Sequence, residues 1–301
     1  MNTTRHVGKL AMAVIASGMI LAGCNKDNPV DSAASTAVYD DAAYSISGAV
    51  GDQSGGATES FGDLLTLQSQ GTLNEVTPSA DGGFEKTSAD SGTYDPSTGW
   101  WTVSISKSFS GPRVTSSITR NYQYRFWKND AEHQPFYVTN GDTAVTMEFK
   151  IISGTGSFET QRVSHHLSQI QGAWLATHIN ADTVTITLEE NYIRKAVDTV
   201  TTPRATRIFD HTLTLTSVNV TTLRFKPTVL RPFAQWRDNL ANAVIGTISG
   251  QITATTTIIK GTNDNVKNID KQFTITVGGG EGSISINGTK YGCDLKYGDR
   301  P

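Results

Sequence analysis

Cysteine is almost absent from this 301-residue chain, which has Cys24 and Cys293 and no others. A disulfide framework is therefore excluded as the source of stability, and burial has to supply it. Charge is sparse too: Asp, Glu, Lys and Arg make up 18% of the residues and the formal net charge is −3. Without clustered Lys and Arg on one face there is no electrostatic footprint for DNA or RNA, and nucleic acid is excluded as a partner. No apolar run approaches the roughly 20 residues of a membrane-spanning helix. Catalytic signatures are missing as well. Neither paired carboxylates, nor a nucleophile, histidine and acid in a recognisable order, nor a metal-ligand set stands out, so the expectation is a non-enzymatic protein with no cofactor. Gly278-Gly279-Gly280 has strand-like sequence on both sides rather than the helix a phosphate cradle needs, and reads as a hairpin connection. Asn263-Asp264-Asn265 lacks the spaced acids and terminal glutamate of a calcium loop and reads as a turn.

What the chain does have is alternation with period two. Val103 and Ile105 share one parity while Thr102, Ser104 and Ser106 take the other. The same holds for Tyr122, Tyr124 and Phe126, for Val145, Met147, Phe149 and Ile151, for Val184, Ile186 and Leu188, and for Phe273, Ile275 and Val277. This is the pattern of half-buried antiparallel strands. Turn residues punctuate the runs at Gly111-Pro112, Asn140-Gly141-Asp142, Gly154-Thr155-Gly156, Gln171-Gly172, Asn180-Ala181-Asp182 and Asn287-Gly288. About ten such strands with short connections predict an all-β protein. The expected form is an antiparallel meander curved into a half-barrel or barrel-like sheet, with a two-sheet β-sandwich as the alternative.

One short helix is predicted over Glu59 to Gln68, where Phe61, Leu64, Leu65 and Gln68 recur at helical spacing. Residues 24–56, rich in Ser, Ala, Asp and Gly, read as a flexible tether, which Tyr39, Tyr44 and Ile46 can pin to the domain in part. Between Lys226 and Asn242, Pro227 and Arg231-Pro232 interrupt the strands, and the segment reads as a loop or helical turn docking Phe233 and Trp236 on the core rim. Residues 57–301 are then a single all-β domain.

The N-terminus carries an address. Arg5 and Lys9 precede the apolar stretch Leu10 to Leu21, and Leu21-Ala22-Gly23-Cys24 follows. This run resembles the lipobox of bacterial lipoproteins. The resemblance covers the first 24 residues and implies a signal peptide over 1–23, acylation of Cys24, and a membrane anchor through that cysteine. Removing residues 1–23, which hold Arg5 and Lys9 and no acid, takes the formal charge from −3 to −5. Asn25 after the cysteine resembles the pattern of lipoproteins sorted to the bacterial outer membrane, facing the periplasm or the cell surface. Asn25-Lys26-Asp27 partly resembles a surface-export signal.

Three sets of side chains are candidates for chemistry or binding. A two-residue turn at Gln171-Gly172 would set His165 opposite His178 and so begin a metal site, the alternative being two surface histidines. Cys293 shares a parity with Tyr291, Leu295 and Tyr297 and reads as a small buried apolar group rather than a nucleophile. Trp100, Trp101, Tyr122, Tyr124, Phe126 and Trp127 are concentrated in one part of the chain, with Phe136 and Tyr137 nearby. They can bind a lipid or sugar, or simply fill a core otherwise made of small residues. The leading expectation is a lipid-anchored envelope protein that binds a lipid or other hydrophobic molecule on a concave apolar sheet face. Its architecture resembles the half-barrels of periplasmic lipoprotein carriers. The second expectation is a surface-exposed structural or adhesive lipoprotein, with a packed interior, that contacts a partner protein or glycan.

Overall fold

A computed structural model describes residues 30–52, 54–71, 86–89, 92–110, 114–129, 131–161, 163–203, 205–225, 232–260, 263–279 and 281–296. Residues 1–23, expected to be a signal peptide, Cys24 and the turn expected at Gly111-Pro112 lie outside them. Two helices come first, α1 (Val30–Val50) and α2 (Ala57–Gln70). Strands follow as β1 (Lys86–Ala89), β2 (Thr93–Asp95), β3 (Trp100–Ser110) and β4 (Val114–Trp127). After the short pieces β5 (His133–Gln134), β6 (Val138–Thr139) and β7 (Asp142–Thr143) come β8 (Thr146–Thr160), β9 (Val163–Thr177), β10 (Thr183–Thr201) and β11 (Thr206–Leu223). The helices α3 (Pro232–Asp238) and α4 (Leu240–Ala243) precede β12 (Val244–Lys260), β13 (Asn263–Gly278), β14 (Glu281–Ile286) and β15 (Thr289–Cys293).

The main sheet runs β1-β3-β4-β8-β9-β10-β11-β12-β13-β14-β15, antiparallel throughout. The all-β antiparallel meander expected from the alternation is what forms. The sheet curls without closing: β1 and β15 end its path and, among the described residues, do not pair with each other. Among the described residues no second sheet faces it, since the remaining sheet there is the β6–β7 pair.

The inward parity is the apolar one. Val103, Tyr122, Phe149, Trp174, Ile186, Leu213, Ile252 and Ile275 are buried, while the alternate positions carry Thr, Ser, Gln and Asn. A curled apolar face needs a cover, and α1 and α2 supply it. Every residue of α2 from Ala57 to Gln68 is buried, including Glu59, Asp63 and Gln68. Its periodicity starts the helix, and Gly71 ends it in the left-handed conformation (φ 69°), its N–H donating to the Leu67 carbonyl at 2.8 Å. Ser60 and Thr66 satisfy their hydroxyls on the Ala57 and Gly62 carbonyls, which makes burial tolerable for them.

Residues 30–50, expected to belong to a tether, are instead helix α1, whose Ala42, Ala43, Ile46, Ala49 and Val50 have no exposed surface. Ala is the best helix former, and a row of small residues lets the helix lie close against the sheet. Three expected turns are also corrected: Gly154-Thr155-Gly156 lies inside β8, Gln171-Gly172 lies inside β9, and Asn263-Asp264-Asn265 opens β13, paired with Lys260, Ile259 and Ile258 of β12. The segment before Asn242 behaves as expected for Trp236, which is buried with its indole N–H on the Thr222 hydroxyl at 2.7 Å.

Candidate functional site: a filled interior and a polar outer face

The concave face is where a hydrophobic ligand would sit, and it is occupied by the protein's own helices. Phe61 of α2 meets Trp174 of β9 edge-on at 5.1 Å, and Trp174 in turn contacts Tyr192 of β10 at 5.4 Å. Inside this apolar shell runs a polar seam. The Tyr122 hydroxyl donates to Asp63 Oδ2 at 2.7 Å, and Arg120 stands 3.6 Å from Glu59, both nearly without exposed surface. Burial, and then the charges of Asp63 and Glu59, push the Tyr122 phenol well above its ordinary range, so it stays a donor at any working pH.

Three arginines converge on the turn between α1 and α2. Arg120 of β4 donates to the Gly55 carbonyl at 3.3 Å, Arg194 of β10 to the Ser54 carbonyl at 3.4 Å, and Arg237 of α3 pairs with the buried carboxylate of Asp52. Asp52 also donates its N–H to the Leu295 carbonyl at 2.8 Å. The helices are thus tied into the sheet by directional bonds as well as by packing.

His165 and His178 are not brought together. Both belong to the run of β9 and its end, His165 inside the strand and His178 exposed just past it at φ 60°. The expected hairpin fails because Gly172 continues the strand, and the true β9–β10 turn sits at Asn180-Ala181-Asp182. In the true register His165 lies opposite Asp198. His165 Nδ1 contacts Asp198 Oδ1, and His165 Nε2 accepts from Arg194 Nη2 at 3.1 Å. His211 of β11 accepts from Arg194 Nη1 at 3.5 Å, with its Nδ1 3.6 Å from Asp198 Oδ2. Asp198, Arg194 and His211 were not singled out from the sequence. The parity of Arg194, Ala196 and Asp198 within β10, with the Asn180-Ala181-Asp182 turn as hairpin tip, is the signal that leads to them. Among the described residues no group of three His, Cys, Asp or Glu side chains is placed to hold a metal ion.

The aromatic candidates separate into two sets. Tyr122, Tyr124 and Phe126 are core residues. Trp101, half-buried at one end of the sheet, stacks on Tyr124 at 6.2 Å and donates its indole N–H to the Pro135 carbonyl at 2.6 Å. Trp100 and Trp127 stand on the outer face with the Arg125 guanidinium 4.5 Å from each ring centroid. Glu148 completes this cage, accepting from Arg125 Nε and Nη2 at 3.0 Å each and from the Trp127 indole at 2.8 Å. A cation therefore covers ring faces that a sugar would need.

The rest of the outer face over β11–β14 is a ladder of hydroxyls and amides with the exposed carboxylates of Asp210 and Asp270 among them. Ser249 bonds Thr274 at 3.1 Å, Gln251 donates to Asp270 at 2.6 Å, and Thr255 donates to Asn268 at 3.1 Å, all exposed. Thr216, Gln251, Gln272, Thr274, Ser285 and Asn287 border a shallow depression of about 380 Å³ there. No family model, curated protein or solved structure matches the chain. Among the described residues no helix is long and apolar enough to cross a membrane.

Proposed function

We propose that this is a lipid-anchored, non-enzymatic envelope protein that acts through its outer surface, as a structural or adhesive element contacting a glycan or partner protein. One observation carries this reading over lipid carriage: the concave apolar face is covered by α1 and α2, with Phe61, Leu64, Leu65 and Ile46 fully buried against the sheet. What remains for a partner includes the ladder of β11–β14, mostly hydroxyls and amides with the carboxylates of Asp210 and Asp270, whose chemistry suits a hydrogen-bonding polymer such as a glycan better than a greasy one. The lipobox-like run ending at Cys24 supplies the anchor, with outer-membrane placement following from Asn25.

The test has two arms. In cells, Cys24→Ala should shift the protein from the membrane pellet to the soluble fraction and remove its acyl mass; retention in the pellet would defeat the anchor. The chain from Asn25 onward is then screened against envelope glycans and by native mass spectrometry with envelope lipids. Glycan or cell-surface binding that Gln251→Lys with Thr274→Lys lowers at least tenfold, with no bound lipid, supports the adhesive reading. A stoichiometric lipid mass, or surface binding indifferent to those substitutions, overturns it.

A further inference from the structure

The cluster at Asp198 has a closed form. The carboxylate faces the Nδ1 atoms of His165 and His211, and the Arg194 guanidinium faces both of their Nε2 atoms. One tautomer suits these contacts: each imidazole neutral, with an Nε2 lone pair toward Arg194 and Nδ1–H toward Asp198, as a hydrogen bond from His165 and as a 3.6 Å approach from His211. In that state one cation and one carboxylate balance. The guanidinium so held is the group that donates to the Ser54 carbonyl in the α1–α2 turn. Tyr192 on β10, Arg120 on β4 and Glu59 on α2 also act on Arg194, and His211 has the Phe209 ring tilted against it at 5.1 Å and the Phe209 backbone as a hydrogen-bonding neighbour. His165 and Asp198 are 21% and 24% exposed, so protons can enter from their side, whereas Arg194 and His211 are buried.

We propose that Asp198, His165, Arg194 and His211 form a proton-operated clasp on the α1–α2 turn. With neutral imidazoles the guanidinium is held on the Ser54 carbonyl. A proton on either Nε2 removes the lone pair Arg194 uses and sets a second cation against it, so the guanidinium leaves Ser54 and the turn is loosened at that point, while Arg120 on Gly55 and Arg237 on Asp52 still hold it. The direction agrees with the electrostatics of His211: burial first, and then the Arg194 charge, depress it to about 4 from an ordinary value of 6.5. The clasped state then binds fewer protons than the open one, so the clasp is at full strength above pH 6.5 and weakens as pH falls toward 4. Asp198 is also held below its ordinary value, its burial outweighed by the His165 bond and the neighbouring positive charges, so it remains a carboxylate through that window.

Hydrogen exchange by mass spectrometry on the full chain, at pH 7 and pH 5 and corrected for intrinsic rates, tests the clasp. Peptides spanning the turn from Gly51 to Gly56 should open roughly 20-fold more at pH 5, while peptides in β12 and β13 keep their protection. The pH-dependent step should disappear in His165→Asn with His211→Asn. Should that double variant fail to fold, histidine signals of the unaltered chain followed by NMR serve instead: opening must share its midpoint with the protonation of His165 or His211. Equal protection of the turn at both pH values, opening that persists unchanged in the double variant, or a midpoint matching neither histidine would overturn the proposal.

Discussion

The Cys293 thiol lies 4% exposed at the end of β15, with the Ser47 hydroxyl of α1 3.4 Å from its sulfur. Burial raises its pKa to about 11, so almost none of it is thiolate near neutral pH and the reactive form is missing. In the folded chain, iodoacetamide at pH 8 should leave Cys293 unmodified over hours, with full labelling in denaturant; rapid modification in the native state, read by mass, would contradict the burial. Tyr122 is the matching case for a polar group. Replacing it with Phe keeps the ring against Phe149 but removes the phenol that Asp63 accepts from. A buried charged partner losing a donor costs about 1–3 kcal/mol, so Tyr122→Phe should lower the urea midpoint without changing the slope. A variant as stable as the parent would mean that Asp63 is served adequately by its other neighbours.

Among the elements, the strands were legible and the glycines within them were not. Alternating runs such as Thr183 to Leu188 report directly which face is wet, because a sheet with one buried face writes period two into its sequence. Glycine is ambiguous, since it marks either a turn or a place where a neighbour comes too close for a side chain. Gly154 and Gly172 belong to the second kind. A Cβ at Gly154 would overlap Ile170 Cγ2 and lie 2.7 Å from Arg120 Cδ, so the gap there makes room for Ile170 and for Arg120, which reaches the Thr155 carbonyl. A Cβ at Gly172, at φ 155°, would lie 2.8 Å from the Tyr192 Cα. Misreading that glycine displaced the expected partner of His165 from Asp198 to His178, which hid the cluster at Asp198. Helix α1 escaped notice for a different reason: with Ala and Ser on nearly every side it has almost no amphipathic contrast, and only its cover role reveals it. Gly172→Ala should therefore destabilise the fold by at least about 2 kcal/mol, combining overpacking with a disfavoured backbone. If thermal melting shows a loss under about 0.5 kcal/mol, well below that range, the β9 path through Gly172 is wrong.

At the scale of the molecule, a curled sheet whose end strands β1 and β15 do not pair with each other among the described residues has no closure there to hold its shape, and its curvature depends on what fills it. The filling is made of the two N-terminal helices, far in sequence from the strands they support: Ser47 meets Cys293 and Asp52 meets Leu295. Strand pairing along the meander is local, but the interior is finished only when the first helices and the last strands are both present. Folding should thus be all-or-none across residues 30–296, and the half-formed sheet should be sticky. Removing residues 30–50 deletes Ile46, Val50 and three buried alanines from the interior and uncovers the inner faces of β12 and β14, which α1 packs against. Such a chain should bind a hydrophobic dye strongly, lose its single cooperative unfolding transition and associate at micromolar concentration. The same deletion leaves the outer ladder of β11–β13 untouched in sequence. If the shortened chain instead stayed monomeric and dye-free with an unchanged melting temperature, α1 would be an appendage, the concave face would close by other means, and the case for an outer-surface function built on a filled interior would fall with it.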